Sequence, residues 1–306
     1  MKKHIKIWTG ILLGLAIVAV TGWYLHGHLV SVLQPAGEVG TKERNLLAFC
    51  AALSVVVVVP VFALLWHVAW KYREGNAAHA KYTPDVDGNA LAETVWWLIP
   101  TVLIGIISVI TWRSSYAMDP FKPLDTGKKT MHIQVVAMDW KWLFIYPDDH
   151  IARVNVVDIP VGTPVEFDIT SDTVMTSFWA PQLGGQMYAM PGMTTKLNLV
   201  ADKAGDYNGV AANISGKGFA DMKFTVHALP PEIYGYWMKT MHRLPKHLTT
   251  AEYARLSKPS VFTQPGIRDS YGNVQPGLYD TIVMKYMMPM GGNTNVETQL
   301  LSGVKL

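Results

Sequence analysis

The sequence predicts a membrane-anchored α+β protein: two transmembrane helices, three if the first apolar segment is retained, then a β-sandwich or barrel, then a C-terminal helical arm. Three observations lead there. Only 16% of the 306 residues are charged and 50% are hydrophobic, against about 25% charged in an ordinary globular chain. The apolar residues gather in the first third, in runs long enough to cross a bilayer. From Met131 these runs give way to short segments of period two, and after Pro230-Pro231 to helical signals.

Residues 1–26 read as a signal sequence or an N-terminal membrane anchor. Ile7 to Leu25 carries no charge and follows the basic start Met1-Lys-Lys-His-Ile-Lys6. Residues 46–113 read as a transmembrane helical hairpin. Its first span, Leu46 to Trp70, is uncharged and contains VVVVVPV, where Pro60 is tolerable because lipid-buried helices absorb kinks. It ends on Trp66, Trp70 and Tyr72, an interfacial aromatic belt, followed by Lys71 and Arg73. The second span, Thr94 to Trp112, is about long enough to cross.

Basic residues set the orientation. Lys2, Lys3 and Lys6 hold the chain's start in the cytoplasm, and Lys71, Arg73 and Lys81 do the same for the 71–93 loop. Everything after about residue 113 is then extracytoplasmic, with Arg113 and Lys122 as a weaker opposing bias.

Residues 128–230 form the predicted outer β domain. HIQVVAM, Val165 to Thr170, Thr195 to Val200 and Met222 to Ala228 alternate or nearly so, and turn signals such as Ile159-Pro-Val-Gly-Thr-Pro164 separate them. Such spacing means a sandwich or barrel. Residues 231–306 form the arm: Thr249-Thr-Ala-Glu252 has capping-box spacing, a second helix follows Pro276-Gly277, and the tail from Met290 is glycine-rich.

Chemistry is sparse. The net charge of +3 comes without a basic patch interleaved with aromatics, which excludes a nucleic-acid footprint. The one cysteine, Cys50, rules out an intrachain disulfide and a cysteine metal cluster, and reads as small hydrophobic filler. The ten histidines are scattered, and the close pair His26-Gly-His28 lacks a third ligand. Met187, Met190 and Met193, with Met287, Met288 and Met290, offer either core filler or a soft thioether site for Cu(I). Neither a hydrolytic constellation nor a phosphate loop is present, so no catalytic residue is assigned to this chain.

Two features stand apart. Met138-Asp-Trp-Lys-Trp-Leu-Phe-Ile-Tyr146 concentrates aromatics that read as core and interfacial belt. Glu93 is the last acid before an apolar span, at that helix's cytoplasmic start, where the helix dipole favours a carboxylate.

Ala92-Glu-Thr-Val-Trp-Trp-Leu-Ile-Pro100, then MDWKW (Met138 to Trp142), then SFWAPQLGGQMYAMPGM (Ser177 to Met193) together resemble subunit II of the haem–copper terminal oxidases, over roughly residues 30 to 290. The resemblance implies a cupredoxin-like outer domain. Copper-bearing members, which take electrons from cytochrome c, hold two coppers through a loop Cys-x-Glu-x-Cys-x-x-x-His-x-x-Met and one upstream His. Here Ala211 and Ser215 stand in place of the cysteines, Asn213 of the glutamate, Phe219 of the histidine and Thr176 of the upstream histidine; only Met222 remains. A hydroxyl that stays protonated and a lone thioether cannot bridge two coppers.

The resemblance is therefore to the quinol-oxidising branch, cytochrome bo-type. It implies a subunit without its own cofactor in a proton-pumping complex that oxidises quinol and reduces O2 to water. Haems, the remaining copper and the principal quinone site belong to subunit I, its expected partner alongside further small membrane subunits and the lipid bilayer of a bacterial inner membrane, with the large domain periplasmic. By position Glu93 matches a carboxylate at the mouth of a proton pathway, and Trp140 matches an electron-transfer tryptophan that here, with Trp142, is expected to be structural. Lipoprotein relatives carry a cysteine where Trp23 stands. The alternatives are an extracytoplasmic copper-binding or assembly protein and a cytochrome c-accepting oxidase subunit.

Overall fold

The computed structural model describes residues 14, 16, 19–24, 30–73, 88–261 and 270–287. Lys2, Lys3, Lys6, His26, His28, Lys81, Met288 and the tail from Met290 lie outside them. The chain divides into two compact units, Lys42–Lys122 and Met1–Thr41 with Pro123–Leu306.

The helical unit is built from α1 (Glu38–Lys71) and α2 (Ala90–Ala117), both long and apolar enough to cross a membrane. α1 starts eight residues before the uncharged run, because the polar turn holding Lys42, Glu43 and Arg44 is still helical. Pro60 and Pro100 lie inside the helices. Hydroxyls bond back to the helix, Ser54 Oγ donating to the Cys50 carbonyl at 2.8 Å and Thr101 Oγ1 to that of Trp97 at 2.8 Å. Trp66 stacks on Trp70, and Arg73 lies 4.2 Å over the Trp70 ring. Cys50 is exposed on α1 and fills no cavity in this chain.

The β domain opens with β1 (Met131–Met138), β2 (Lys141–Tyr146), β3 (Ile151–Val154), β4 (Val156–Pro160) and β5 (Val165–Ser171). It continues with β6 (Thr176–Trp179), β7 (Gln186–Ala189), β8 (Thr195–Leu199), β9 (Gly205–Ala211) and β10 (Lys223–Leu229). The arm adds α3 (Pro231–Met241), β11 (His247–Leu248), α4 (Thr250–Leu256), β12 (Ser270–Tyr271), β13 (Asn273–Val274) and α5 (Leu278–Met284). Two sheets face each other, ordered β12-β3-β2-β1-β5-β8 and β4-β10-β9-β6-β7. Within these two sheets pairing is antiparallel except β1 with β5 and β4 with β10, and in the arm β11 pairs with β13 in parallel.

Strand alternation sends one set of side chains between the sheets. Trp142, Phe144, Phe167, Phe178 and Phe224 meet there, Phe178 stacking on Phe224 with ring centroids 4.5 Å apart and Trp142 standing edge-on to Phe178 at 5.4 Å. The other set on the six-stranded sheet forms a second core. Val136, Met138, Leu143 and Ile145 pack against Leu248, Tyr253, Leu278, Tyr279 and Ile282 of the arm. The arm is thus a third layer over one sheet face, and its β12 extends that sheet beside β3. Thr249 caps α4, its side chain accepting from the Glu252 N–H at 3.3 Å.

The first residues of α1 dock on the same domain. The Ala36 N–H donates to the Gln182 carbonyl at 2.7 Å, the Gly40 N–H to Leu183 at 3.0 Å, and the Asp202 N–H to Ala36 at 2.8 Å. Backbones this close leave no space for side chains: a Cβ on Gly37 would fall on the Val200 carbonyl oxygen, and one on Gly40 would stand 2.9 Å from that of Gln182.

Candidate functional site

The six positions that the resemblance sets against copper ligands converge at one end of the sandwich. Thr176 opens β6 and Ala211 closes β9, which pair through Phe178 and Ala211. Asn213, Ser215 and Phe219 follow in the connecting loop, and Met222 returns to β10, its carbonyl accepting the Ala211 N–H at 3.1 Å. The Asn213 amide donates to the Met175 carbonyl at 3.1 Å.

Their chemistry does not suit copper. Ala211 and Phe219 offer no donor atom, and Met222 is buried as packing in the aromatic core. Thr176 Oγ1, Asn213 Oδ1 and Ser215 Oγ are buried without a hydrogen-bond partner among the described residues, as are Ser177 Oγ and Trp142 Nε1 nearby. Each orphan of this kind costs about 1–3 kcal/mol. Neutral hydroxyls and amides are hard donors, and a dinuclear copper centre requires soft, anionic ones.

The loop is nevertheless filled. Trp140 sits at the β1–β2 turn with φ 65°, a left-handed backbone that is strained for an aromatic residue. Its Nε1 donates to the Ser215 carbonyl at 3.4 Å, and its ring occupies the space that a Cβ on Gly218 would need. Lys141, next in sequence, is buried and binds the Lys258 carbonyl at 2.7 Å and Ser260 Oγ. Burial draws its pKa down, against the opposing charge of Asp139.

Met187 leans on the sandwich core, Met193 is half exposed, and the Met190 carbonyl is taken by Thr170 Oγ1 at 3.2 Å. Sequence reasoning missed Asp172, a buried carboxylate at the end of β5. Tyr253 donates to its Oδ2 at 2.8 Å, Lys285 to its Oδ1 at 2.9 Å, and Tyr286 to its carbonyl at 2.6 Å. No local motif marks an aspartate whose partners lie 81 to 114 residues away.

In the helical unit, Glu93 lies in the first turn of α2 behind its cap, Asn89, whose side chain accepts from the Ala92 N–H at 3.1 Å. The Glu93 side chain folds toward Gly88, where an added Cβ would stand 2.8 Å from its Oε1. No ion pair with another described residue holds it. The placement suits a carboxylate at a helix N-terminus.

Family models and curated relatives match this chain. Residues 149–229 match the family model "Cytochrome C oxidase subunit II, periplasmic domain", and residues 244–290 match "COX Aromatic Rich Motif", which is the arm. Cytochrome bo(3) ubiquinol oxidase subunit 2 of Pseudomonas putida is 42% identical over 287 residues, 93% of this chain and 88% of its own. Ubiquinol oxidase subunit 2 of Acetobacter aceti is 40% identical over 264 residues, 86% of this chain and 84% of its own. Among solved structures, the periplasmic domain of subunit II of cytochrome oxidase of Bradyrhizobium japonicum is 21% identical, with a TM-score of 0.35, covering 36% of this chain and 91% of that one. With relatives this similar along most of its length, the chain belongs to the subunit 2 family of cytochrome bo-type quinol oxidases.

Proposed function

We propose that this chain serves as a non-catalytic subunit of a quinol oxidase, without a copper centre of its own, anchored by α1 and α2 and carrying its β domain on the periplasmic face. The donor set carries the reading: at the six copper-ligand positions, Thr176, Ala211, Asn213, Ser215, Phe219 and Met222 supply no thiolate and no imidazole. Without a metal relay on the aqueous side, a water-soluble cytochrome has no entry point in this subunit. The donor is then a quinol dissolved in the membrane, and haems, copper and the principal quinone site reside in subunit I.

In this reading the domain is a scaffold. Trp140 fills the former metal loop instead of relaying electrons, and Trp142 anchors the aromatic core. Glu93 admits protons on the cytoplasmic side, supported by its place in the first turn of a membrane-length helix and by the basic residues that orient that end inward.

Donor specificity of the complex copurified with this chain tests the proposal. Turnover with quinol and none with reduced cytochrome c is the expected result. A near-infrared mixed-valence copper band in this polypeptide, or turnover driven by cytochrome c alone, would overturn it.

A further inference from the structure

The outer face of the six-stranded sheet carries a group of side chains that the scaffold reading does not use. The parallel pairing of β1 with β5 sets His132 opposite Glu166, and Asp168, two residues on, shares the face. Their neighbours Ile133 and Phe167 point into the sandwich core, which directs these three outward. On the next strand, Lys196 stands opposite Asp168.

One ligand atom from each of His132, Glu166 and Asp168 lies within 4.8 Å of the other two. His132 Nδ1 and Glu166 Oε1 are 3.6 Å apart. Around a tetrahedral zinc with bonds of about 2.0–2.2 Å, ligand atoms stand roughly 3.3–3.6 Å from each other. The first pair already has that spacing, and the Asp168 ligand atom lies within 4.8 Å of both.

At present a cation does sit there. The Lys196 ammonium contacts Glu166 Oε1 at 2.6 Å and Asp168 Oδ1 at 3.9 Å. One positive charge thus serves two carboxylates. The Lys196 side chain is 45% exposed on a flexible stem, so it can swing toward water when another cation takes over both carboxylates.

We propose that His132, Glu166 and Asp168 form a binding site for a divalent cation of the zinc type, with Lys196 as its built-in competitor. An imidazole and two carboxylates make three protein ligands, and water completes the shell at this half-exposed surface. The site lies on the outer face of the sandwich and is separate from the former copper loop, so its fate does not depend on how electrons enter the complex.

The test uses the intact oxidase complex, freed of loosely held metal by a chelator and titrated with Zn2+ against a chromophoric competitor. Wild type is compared with His132→Gln, Asp168→Asn and Lys196→Met. Removing a ligand should weaken one zinc equivalent by at least the roughly 10–100-fold that loss of an outer-shell partner alone costs. Lys196→Met should tighten that same equivalent. Asp168→Asn keeps volume and shape, so it reports even if the histidine variant fails to assemble. If neither ligand variant weakens any zinc equivalent, the proposal fails and the four residues are an ion-pair network only. If Lys196→Met does not tighten binding, the competitor role fails.

Discussion

The Trp140 ring occupies the space a side chain at Gly218 would need, bringing the β1–β2 turn against a loop more than seventy residues later in the chain. The loop from Ala211 to Met222 is thus packed against an indole. The left-handed backbone of Trp140 is the local strain that aims the ring there.

Gly218→Ala is therefore expected to destabilise the domain by about 1–3 kcal/mol, the usual cost of overpacking. Trp140→Phe, which keeps the ring contact and loses only the 3.4 Å hydrogen bond to Ser215, should cost less. Chemical denaturation of the purified complex, followed through the β domain, checks the order of the two effects.

The glycines that seat α1 predict a second result. Gly37→Ala and Gly40→Ala place a methyl group against carbonyl oxygens of Val200 and Gln182. The start of α1 should lift from the β domain, breaking the bonds from Ala36 to Gln182 and from Gly40 to Leu183. Limited proteolysis between residues 30 and 40 should become faster, while Gly105→Ala, with open space around it, should behave as wild type.

Asp172 fastens the arm. Asp172→Ala leaves the buried Tyr253 hydroxyl without its acceptor and removes a charged partner from Lys285 and Tyr286. Hydrogen bonds to a charged group contribute about 1.5–3 kcal/mol each, and the exposed Lys285 contributes least. Protease sensitivity should rise across residues 244–287, with Asp172→Asn intermediate because it keeps an acceptor oxygen.

The same cluster sets a response to alkali. Burial, with the Asp172 charge adding to it, raises the Tyr253 and Tyr286 hydroxyls above 10.0. Burial pulls the Lys285 ammonium down, but its hydrogen bond to Asp172 and that charge outweigh it and leave it above 10.5. A group whose pKa is higher in the folded state holds its proton more tightly there, so its contribution is complete below the unfolded value and is lost as pH climbs through the folded one. Docking of the arm should hold through neutral pH and weaken only above about pH 10. Hydrogen exchange of residues 270–287 against pH measures it; loosening below pH 9 would contradict this account.

Glu93→Ala should slow proton-coupled reduction of the catalytic centre without affecting assembly. Turnover across a pH series, paired with the yield of intact complex, separates a proton-access role from a helix-start role. Unchanged turnover at every pH would leave Glu93 as a favourable charge on the α2 N-terminus only.

Much of the layout was legible because it rests on periodicity. The apolar runs gave both membrane-length helices, and alternation gave β1, β5, β8 and β10. The Thr249 cap of α4 and the helix after Gly277 were read from local signals. What escaped the sequence was non-local. Nothing near Gly37 and Gly40 announces that they abut residues 182–184 and 200, and β12, two residues long, has no pattern to declare it an edge strand. The loop from Ala211 to Met222 shows in its residues that thiolates and imidazoles are missing, while its contact with Trp140 is one that spacing cannot show.

Because β12 borders β3 and the arm roofs one sheet face, the domain cannot finish its own outer surface until residues 248 to 283 have been made. Until then β3 presents an unpaired edge and Val136, Leu143 and Ile145 face solvent, an arrangement prone to mispairing between nascent chains. A truncation before residue 244 should therefore aggregate, which light scattering of the expressed chain would show.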